Sequence, residues 1–351
     1  MNRHPKALGA LLLITVFSLG CSTDLEINAP YRNITVVYGL LGQKDADNND
    51  VTRHWVKINR AFLGEGDALV FASIPDSTEF TDEQLELAQV EEYQGSTLTN
   101  TYTLMDTILN DRVPGVFNYP VHKIYFFNAS LNPDRTYRVV VKARGETTIA
   151  NTNVVKDFQV NNTDGNVNVA INLMGTTPGT YGFFELNWST GPNGKRYDTY
   201  YRCRYAEVRG TDTTERSLTR LMAVRVATGT NGNESMASQI LGEDFYKSLA
   251  IDVTDDPTIT KRIFWGIDLL FQVANEDFHT YLQLASPITS IVEDRPQFTN
   301  VQNGQGLVAS RLFKTIKGKK LNGASLQELT AGQHTGGLLF CAGFPSDYSC
   351  N

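Results

Sequence analysis

The sequence predicts a mainly β protein, with an N-terminal immunoglobulin-like β-sandwich followed by a larger antiparallel β-rich domain with one or two helices. Three observations lead to this fold class. A chain of 351 residues is too long for one ordinary sandwich and suits two domains. Its 41% hydrophobic and 10% aromatic residues suffice for packed cores. Apolar and polar residues alternate with period two along much of the chain, with turn residues between the runs.

The first domain is predicted over residues 33–165, after the N-terminal leader. Runs rich in β-branched and aromatic residues alternate with turns that contain Asn, Asp, Gly and Pro. Repeated strands without intervening helical periods are typical of a sandwich. The predicted strands cover 33–41, 54–60, 68–73, 85–91, 122–128 and 135–143.

The second domain is predicted over residues 166–351, beyond a segment rich in Asn, Gly and Thr between 151 and 180. We expect long strands at 181–190, 197–209 and 219–228, and a central pair at 261–276 and 278–285. A 3.6-residue period predicts a helix over 234–250. A capping-box pattern predicts a short helix at 325–329 with Ser325 as its N-cap.

The first twenty residues read as a targeting signal rather than part of the fold. Arg3, His4 and Lys6 precede the apolar run 7–19, which is too short to span a bilayer comfortably and suits a cleaved signal. The run ends in Ser-Leu-Gly-Cys, a sequence that resembles the lipobox of bacterial lipoproteins, in which the cysteine is acylated. Residues 1–20 are therefore predicted as a signal peptide, Cys21 as the lipidation site, and the polar residues 21–32 as a tether. The alternative is an ordinary secretory signal with an incidental cysteine.

The charge balance bears on partners. The net charge of −7 becomes −9 after removal of residues 1–20, because two basic residues and no acids are lost. An acidic chain gives no electrostatic support to nucleic-acid binding. It would also be repelled by anionic lipid, so we expect attachment to the membrane through acyl chains on Cys21 rather than through surface charge.

Residues 296–311, PQFTNVQNGQGLVASR, form the most distinctive segment. Its Asn300, Gly304 and Gly306 resemble a motif of uncharacterised Bacteroidota outer-membrane lipoproteins. The resemblance implies a sandwich domain followed by a larger β-rich domain, and a role near TonB-dependent transporters, beside which such proteins are often encoded. It implies no catalytic residues. In physical terms, Asn303-Gly304 favours a hairpin turn with positive φ, and Gly306 lets the next strand begin without a Cβ clash.

Signatures of catalysis or metal binding are weak. The glycines at 304 and 306 lack the βαβ context of a dinucleotide site. The acidic run 45–50 resembles the first half of a calcium loop, but the chain has Asp50 and Val56 where that loop needs Gly and Glu. The sequence contains neither His-Glu-x-x-His nor Gly-x-Ser-x-Gly. We therefore predict no catalytic residue, no metal site and no cofactor.

Two further groups of residues are candidates for a defined role. Tyr197, Tyr201 and Tyr205 share one face of a predicted strand, which is either core or, if exposed, a stacking surface for a glycan or peptide. Cys341 and Cys350 flank a short loop and are the preferred disulfide in an oxidising envelope, contributing about 2–3 kcal/mol. Cys203 would then be a small buried hydrophobic residue.

These observations favour a non-catalytic, lipid-anchored binding or accessory protein of the outer membrane, associated with a TonB-dependent nutrient transporter. The alternatives are an envelope hydrolase with an unrecognised site, and a structural or adhesive surface module. The sequence leaves open whether the protein faces the periplasm or the cell exterior.

Replacing the proposed lipidation site tests the membrane anchor. We expect Cys21→Ala to release the protein from the membrane fraction into the soluble fraction, because the acidic surface offers no electrostatic attachment to anionic lipid. Fractionation of cells that express the full chain measures this. A Cys21→Ala protein that stays with the membranes would show that the anchor is misassigned.

Overall fold

The strands and helices account for most of the described chain. The computed structural model describes residues 34–61, 68–285, 297–342 and 350. The predicted signal peptide, Cys21 and the tether lie outside these residues. The strands of the first part are β1 (Ile34–Leu41), β2 (Arg53–Ala61), β3 (Leu85–Gln94), β4 (Thr97–Thr103), β5 (Met105–Asn110), β6 (Val121–Asn128), β7 (Thr136–Ala143) and β8 (Glu146–Asn153).

Among the described residues, the second part of the chain carries the longest strands and the three longest helices. Its strands are β9 (Phe183–Ser189), β10 (Arg196–Arg209), β11 (Asp212–Val226), β12 (Ser235–Leu241), β13 (Lys261–Ala274), β14 (Val301–Gln302), β15 (Gly304–Lys319) and β16 (Phe340–Ala342). The helices along the chain are α1 (Ala68–Ala72), α2 (Pro75–Thr78), α3 (Asn162–Gly165), α4 (Gly242–Asp252), α5 (Glu276–Ala285) and α6 (Gly323–Ala331), with a 3₁₀ turn at Gly336–Leu338. The predicted mainly β class is confirmed.

One large sheet runs through both parts of the chain. Its strand order is β11-β10-β13-β15-β1-β2-β6-β5, with β16 beside β13. A five-stranded sheet, β14-β8-β7-β3-β4, faces the β1–β5 side, and β9 and β12 form a separate ribbon. The large sheet and the five-stranded sheet enclose the first core, which makes this part a β-sandwich.

The first core forms because alternate residues of each strand point inward. Val37 and Leu41 of β1 and Tyr125 and Phe127 of β6 are almost completely buried, as is Tyr137 of β7. Their strand neighbours face solvent or the other side of the sheet, which is the pattern of a half-buried strand. The remaining members of this core are Val56, Ile58, Phe80, Val90, Leu104, Leu131, Val139, Val141, Ala143, Ala150, Val154, Val301 and Val308.

The second core is larger and richer in aromatic side chains. It collects the inward faces of β10 and β13, the ribbon, and helices α4 and α6. Trp188 lies between Tyr197 and Phe271, with ring centroids 6.1 and 5.3 Å away. Phe245 of α4 packs on Tyr201 at 5.6 Å.

Strand β15 belongs to both cores. Its first half, up to Ser310, pairs in parallel with β1. Its second half, from Arg311, pairs antiparallel with β13. Val308 accordingly lies in the first core and Leu312 in the second.

The cores divide the chain differently from the predicted boundary at residues 165 and 166. Val154 is in the first core and Val155 already in the second. Val301 and Val308 return from the far end of the chain to complete the sandwich. The sequence placed them in the second domain because only pairing between distant strands brings them back.

The segment with Asn300, Gly304 and Gly306, which carries the resemblance and which we call the family-like segment, does not form the predicted hairpin turn. It takes the chain from one sheet into another. Strand β14 pairs with β8, whereas β15 pairs with β1, so these two strands are not partners of each other. Asn303, between them, has a φ of 54°, which turns the chain from one sheet into the other. Positive φ was expected at this pair of residues, and Asn303 adopts it.

The glycines of this segment permit the close approach of β15 to β1. Gly304 lies opposite Thr35, and a Cβ at this position would be 2.6 Å from the Thr35 carbonyl oxygen. Gly306 has a φ of 118°, and a Cβ there would overlap the Val37 backbone. A side chain at either position would push the two strands apart.

Three local predictions are wrong. Residues 278–285 form helix α5 instead of a strand, because the Asn275 side chain accepts the Phe278 N–H at 3.1 Å and caps the helix. The predicted helix 234–250 begins as strand β12, which pairs with β9, and becomes helical only at Gly242. The predicted strand 68–73 is the short helix α1.

The last predicted helix exists with a different cap. Asn322, rather than Ser325, is the N-cap of α6, and its side chain accepts the Ser325 N–H at 3.0 Å. The Ser325 hydroxyl is buried and accepts the Leu173 N–H at 2.9 Å. Ser325 therefore ties the helix to the second core.

Replacing Gly306 tests the contact between β15 and β1. We expect Gly306→Ala to lower the free energy of unfolding by about 3 kcal/mol or more, since it combines an unfavourable φ with a backbone clash. Gly318→Ala, at a φ of 74° with open space around it, should cost about 1 kcal/mol. Gly229→Ala, in open space without positive φ, should change little. Urea denaturation measures all three, and equal losses at 306 and 318 would contradict the close-approach explanation.

Candidate functional site

A polar cleft lies where the two cores meet. It encloses about 170 Å³ between the end of β8, the loop after β9 and the start of α5. We call it the junction cleft. Its lining is made of amide, hydroxyl and carboxylate side chains from both parts of the chain: Thr136, Asn151, Thr152, Asn153, Asn193, Thr230, Asn275, Glu276 and Asp277.

Asn275 connects the elements around the junction cleft. The residue is 5% exposed and follows the last residue of β13. Its backbone N–H donates to the Ser310 carbonyl at 3.1 Å, and its amide Nδ2 donates to the Thr152 hydroxyl at 3.1 Å. One buried amide thus joins β15, β8 and α5. Because a buried amide without partners is costly, these bonds hold the floor of the cleft in one arrangement.

Asn300 of the family-like segment positions the carboxylate of the cleft. Its side chain binds the Val308 backbone twice, accepting from the N–H at 3.0 Å and donating to the carbonyl at 2.7 Å. The same amide donates to Asp277 Oδ2 at 3.0 Å. Burial raises the pKa of Asp277, and the Asn300 hydrogen bond partly offsets this effect. The predicted motif residue therefore contributes to the site through Asp277.

The opposite wall is formed by two loops of the second part. Asn193 has a φ of 65°, its N–H donates to the Thr230 carbonyl at 2.7 Å, and its side-chain amide donates to the Val154 carbonyl at 2.9 Å. On the first-core side, the Thr136 hydroxyl donates to Asn153 Oδ1 at 2.8 Å. Both walls are thus fixed by hydrogen bonds before any ligand arrives.

The side chains of the junction cleft form a set of hydrogen-bonding groups. The lining offers neutral donors and acceptors, and two carboxylates on one side, but contains no histidine, lysine, cysteine or serine. Asp277 is hydrogen-bonded to an amide rather than to a nucleophile or base. The junction cleft can accept hydrogen bonds from hydroxyl or ammonium groups and donate to carbonyl groups.

A second hollow, of about 500 Å³, lies between the 174–179 loop and helix α6. At its edge the Tyr181 hydroxyl donates to Glu328 Oε1 at 2.7 Å, and burial raises the pKa of Tyr181 to about 12. The ring of His334 stacks on Tyr181 with centroids 5.9 Å apart. A histidine, a tyrosine and a carboxylate thus lie side by side at the edge of this groove.

The predicted aromatic candidates lie in the core. Tyr197, Tyr201 and Tyr205 are at most 6% exposed, so they cannot form a stacking surface for a ligand. The face they share points inward, toward the aromatic rings of the second core. Of the two interpretations that the sequence left open, the structure places these residues in the core.

The cysteines are placed as the sequence analysis preferred. Cys341 and Cys350 form a disulfide, and Cys203 is a fully buried free thiol. Burial raises the pKa of Cys203 to about 12, so this thiol is unreactive at neutral pH. Cys21 lies outside the described residues.

The described residues contain neither a cluster of metal ligands nor a membrane-spanning helix. Within ranges 34–61, 68–285 and 297–342, no three His, Cys, Asp or Glu side chains gather as metal ligands. No helix in those same ranges is long and apolar enough to cross a bilayer.

Sequence reasoning missed Thr152, Asn275 and Asp277. Thr152 lies near the end of β8, Asn275 follows the end of β13, and Asp277 lies at the start of α5. These residues meet because the ends of β8 and β13 both lie beside β15. The run Asn-Glu-Asp at 275–277 did carry a local signal, because Asn followed by acids is typical of a helix N-terminus. That signal predicts the helix but not the cleft.

The pH dependence of stability tests the burial of Asp277. Its pKa is raised, so the folded state binds a proton more readily than the unfolded state, and stability from this group falls as pH rises through that raised pKa. We expect Asp277→Asn to be more favourable relative to wild type at pH 7 than at pH 4. Urea denaturation at both values measures this. Glu276→Gln, which removes an exposed carboxylate from the same turn, is the control. An Asp277→Asn effect that does not vary with pH would contradict the burial.

Comparisons with known proteins give little to set beside this geometry. No protein-family model matches the chain, and no curated protein matches it. Among solved structures, the chain is similar to the C-terminal globular domain of an oligosaccharyltransferase from Pyrococcus abyssi, with 13% sequence identity and a TM-score of 0.24. The match covers 68% of this chain and 47% of that one, so the chain spans about half of that domain. A TM-score this low supports no inference about function.

Proposed function

We propose that the protein is a lipid-anchored binding or accessory protein of the outer membrane that serves a TonB-dependent nutrient transporter. The N-terminal leader ending at Cys21 supports the anchor and the envelope location. The segment containing Asn300, Gly304 and Gly306 supports the accessory role through its resemblance to such lipoproteins. The observation that carries the binding role is the junction cleft, a prearranged polar cavity built from both cores.

The ligand class follows from the groups that line the cleft. Neutral amides and hydroxyls favour a small polar solute, and the carboxylates of Glu276 and Asp277 favour hydroxyl or ammonium groups on one side. A volume of about 170 Å³ admits one sugar unit or the end of a short peptide rather than a large ligand. A glycan or peptide nutrient fits both constraints.

A partner surface is available at the far edge of the large sheet. Strand β11 is the terminal strand, 15 residues long, and no described strand pairs with its outer edge. Leu221, Val224 and Val226 on this strand are exposed. A long edge strand with unpaired backbone groups is a surface that a second protein can extend by β-augmentation. We propose β11 as the contact with the transporter.

The alternative function is an envelope hydrolase, favoured by the groove beside α6. Its Tyr181–Glu328 pair and the adjacent His334 are groups that could act in proton transfer. Against this, the described bonds of His334 lead to Gln333 rather than to a carboxylate or nucleophile. A structural or adhesive module is the second alternative, and it requires neither hollow.

Filling the junction cleft tests the binding role. Asn153 lies at its exposed rim, so Asn153→Tyr should occupy the cleft without disturbing a core. We expect binding of the purified protein to at least one probe from a panel of hexoses, amino sugars and tripeptides, measured by saturation-transfer NMR and calorimetry. We expect Asn153→Tyr to weaken that binding by tenfold or more, about 1.4 kcal/mol.

The control variant is Thr147→Tyr, an exposed substitution on the same strand outside the cleft. It should retain wild-type binding. Binding that survives Asn153→Tyr, or is lost on replacing His334, would contradict the assignment of the site. Hydrolysis of a glycan or peptide probe would favour the alternative function.

A further inference from the structure

One end of the sandwich exposes a group of large apolar side chains. They come from helix α1 and from the loop that joins β5 to β6, and we call them the apolar end. Val113 is 78% exposed and Leu69 is 65% exposed. The other members, each more than half exposed, are Val70, Val116, Phe117 and Tyr119. A patch of exposed apolar residues of this kind marks a surface that contacts a membrane or another molecule.

The loop of the apolar end is held in shape by polar bonds. Arg112 donates from its guanidinium to the Asn118 carbonyl at 3.1 Å and from its backbone to the Pro120 carbonyl at 3.2 Å. The Asn118 side chain donates to the Val121 carbonyl at 2.8 Å, which closes the loop at its base. Its backbone N–H reaches the Ala72 carbonyl of α1 at 3.4 Å. The apolar side chains therefore project from an ordered platform.

The apolar end lies where the described chain begins. Ile34, the first residue of β1, pairs with Ala61, the last residue of β2. Asn110 pairs with Val121 at the same end of the sheet, and the apolar loop joins these two residues. The 13 residues from Cys21 to Ile34 span at most about 45 Å. A lipid on Cys21 would thus hold this end of the sandwich within about 45 Å of the bilayer, and the far end of β1 can lie a strand length further away.

The second core lies at the opposite end of β15 from the apolar end. Strand β15 starts beside β1 at Thr35 and runs parallel to it, away from the apolar end. Its 16 residues carry the chain roughly 50 Å to Lys319. The junction cleft lies about midway along this strand, near Ser310. With the apolar end on a membrane, the cleft and β11 would face away from it.

We propose that the apolar end is a membrane-contacting face, which enters the headgroup region of the bilayer that holds the lipid anchor and sets the orientation of the protein. The inference deepens the proposed function, because it rests on the anchor at Cys21. Aliphatic side chains beside Phe117 and Tyr119 match the composition of interfacial membrane-binding segments, which bury their apolar face about 5–10 Å into the headgroup boundary.

Nearby charges agree with a lipid rather than a charged partner. Asp111 pairs with His122 at 2.9 Å, and Lys123 pairs with Asp82 at 2.9 Å and with Asp106 at 3.7 Å. These acids therefore have local partners, and the Arg112 guanidinium donates to the Asn118 carbonyl within the loop. Contact with zwitterionic headgroups needs no further charge, and we expect anionic lipid to add little.

Depth-dependent quenching of a tryptophan tests the contact. The acylated full chain carrying Phe117→Trp is reconstituted into phosphatidylcholine–phosphatidylethanolamine vesicles, with or without brominated acyl chains. We expect the added tryptophan to emit at shorter wavelength than in detergent-free solution, and brominated lipid to roughly halve its emission, since an interfacial ring lies close to the acyl region. The parent protein, with its three native tryptophans, supplies the background.

The matched control is Leu221→Trp on β11. Leu221 is 53% exposed and Phe117 is 54% exposed, but Leu221 lies on the opposite edge strand of the sheet. We expect no quenching of this tryptophan by brominated lipid. Unchanged thermal unfolding of both variants verifies that the fold is intact.

Two results would overturn the proposal. One is a vesicle-bound Phe117→Trp protein whose emission is insensitive to brominated lipid. The other is an emission shift that depends on protein concentration without lipid, because a second copy of the chain would then cover the apolar end. Neither result bears on the anchor, which cell fractionation of Cys21→Ala tests separately.

Discussion

The sharing of strand β15 between two cores is the interaction on which the rest of the structure depends. Its first half completes the sandwich beside β1, and its second half forms the centre of the second core beside β13. This arrangement requires a backbone approach that only glycine permits at positions 304 and 306. It also requires Asn303 at positive φ, so that the chain leaves one sheet and enters the other. The two parts of the chain consequently form one continuous sheet.

The junction cleft is a consequence of that continuity. Where β15 changes partners at Ser310, the ends of β8 and β13 meet, and their backbone groups need new hydrogen-bond partners. Asn275 satisfies the Ser310 carbonyl, and the Ser310 hydroxyl accepts the Val155 N–H at 2.9 Å. Of these junction residues, Asn275 also lines the cleft, together with its hydrogen-bond partner Thr152. A structural necessity therefore also supplies a prearranged set of hydrogen-bonding groups.

Strand β15 also places different surfaces of the protein at opposite ends of the molecule. The apolar end and the beginning of β1 lie on one side of the junction, and the second core and β11 lie on the other. With the proposed anchor, the polar cleft and the open edge strand would lie away from the membrane. The proposed binding site, partner surface and membrane contact are thus separate surfaces, which allows each to be tested without disturbing the others.

The sequence predicted those parts of the fold that depend on local patterns. Alternation located β1, β2, β7 and β10 to within one or two residues, because their side chains have one buried face. It failed at residues 278–285, where an apolar run lies on a capped helix, and at 235–241, where pairing with β9 overrides a helical period. The cleft was not predictable, since its residues come from distant segments and single amides and hydroxyls form no periodic pattern. Asn300 was singled out only as part of a motif, and its bonds to Val308 and Asp277 could be known only from the fold.

The central claim, that the protein serves an outer-membrane transporter through a surface distant from its anchor, is tested most directly by site-specific photo-cross-linking in native envelopes. A photoreactive residue at Leu221 on β11 is compared with one at Thr101 on β4, the exposed edge of the other sheet. Our account predicts a cross-link from position 221 to a TonB-dependent transporter and none from position 101. Recovery of no outer-membrane partner from position 221, or the same partner from both positions, would contradict it.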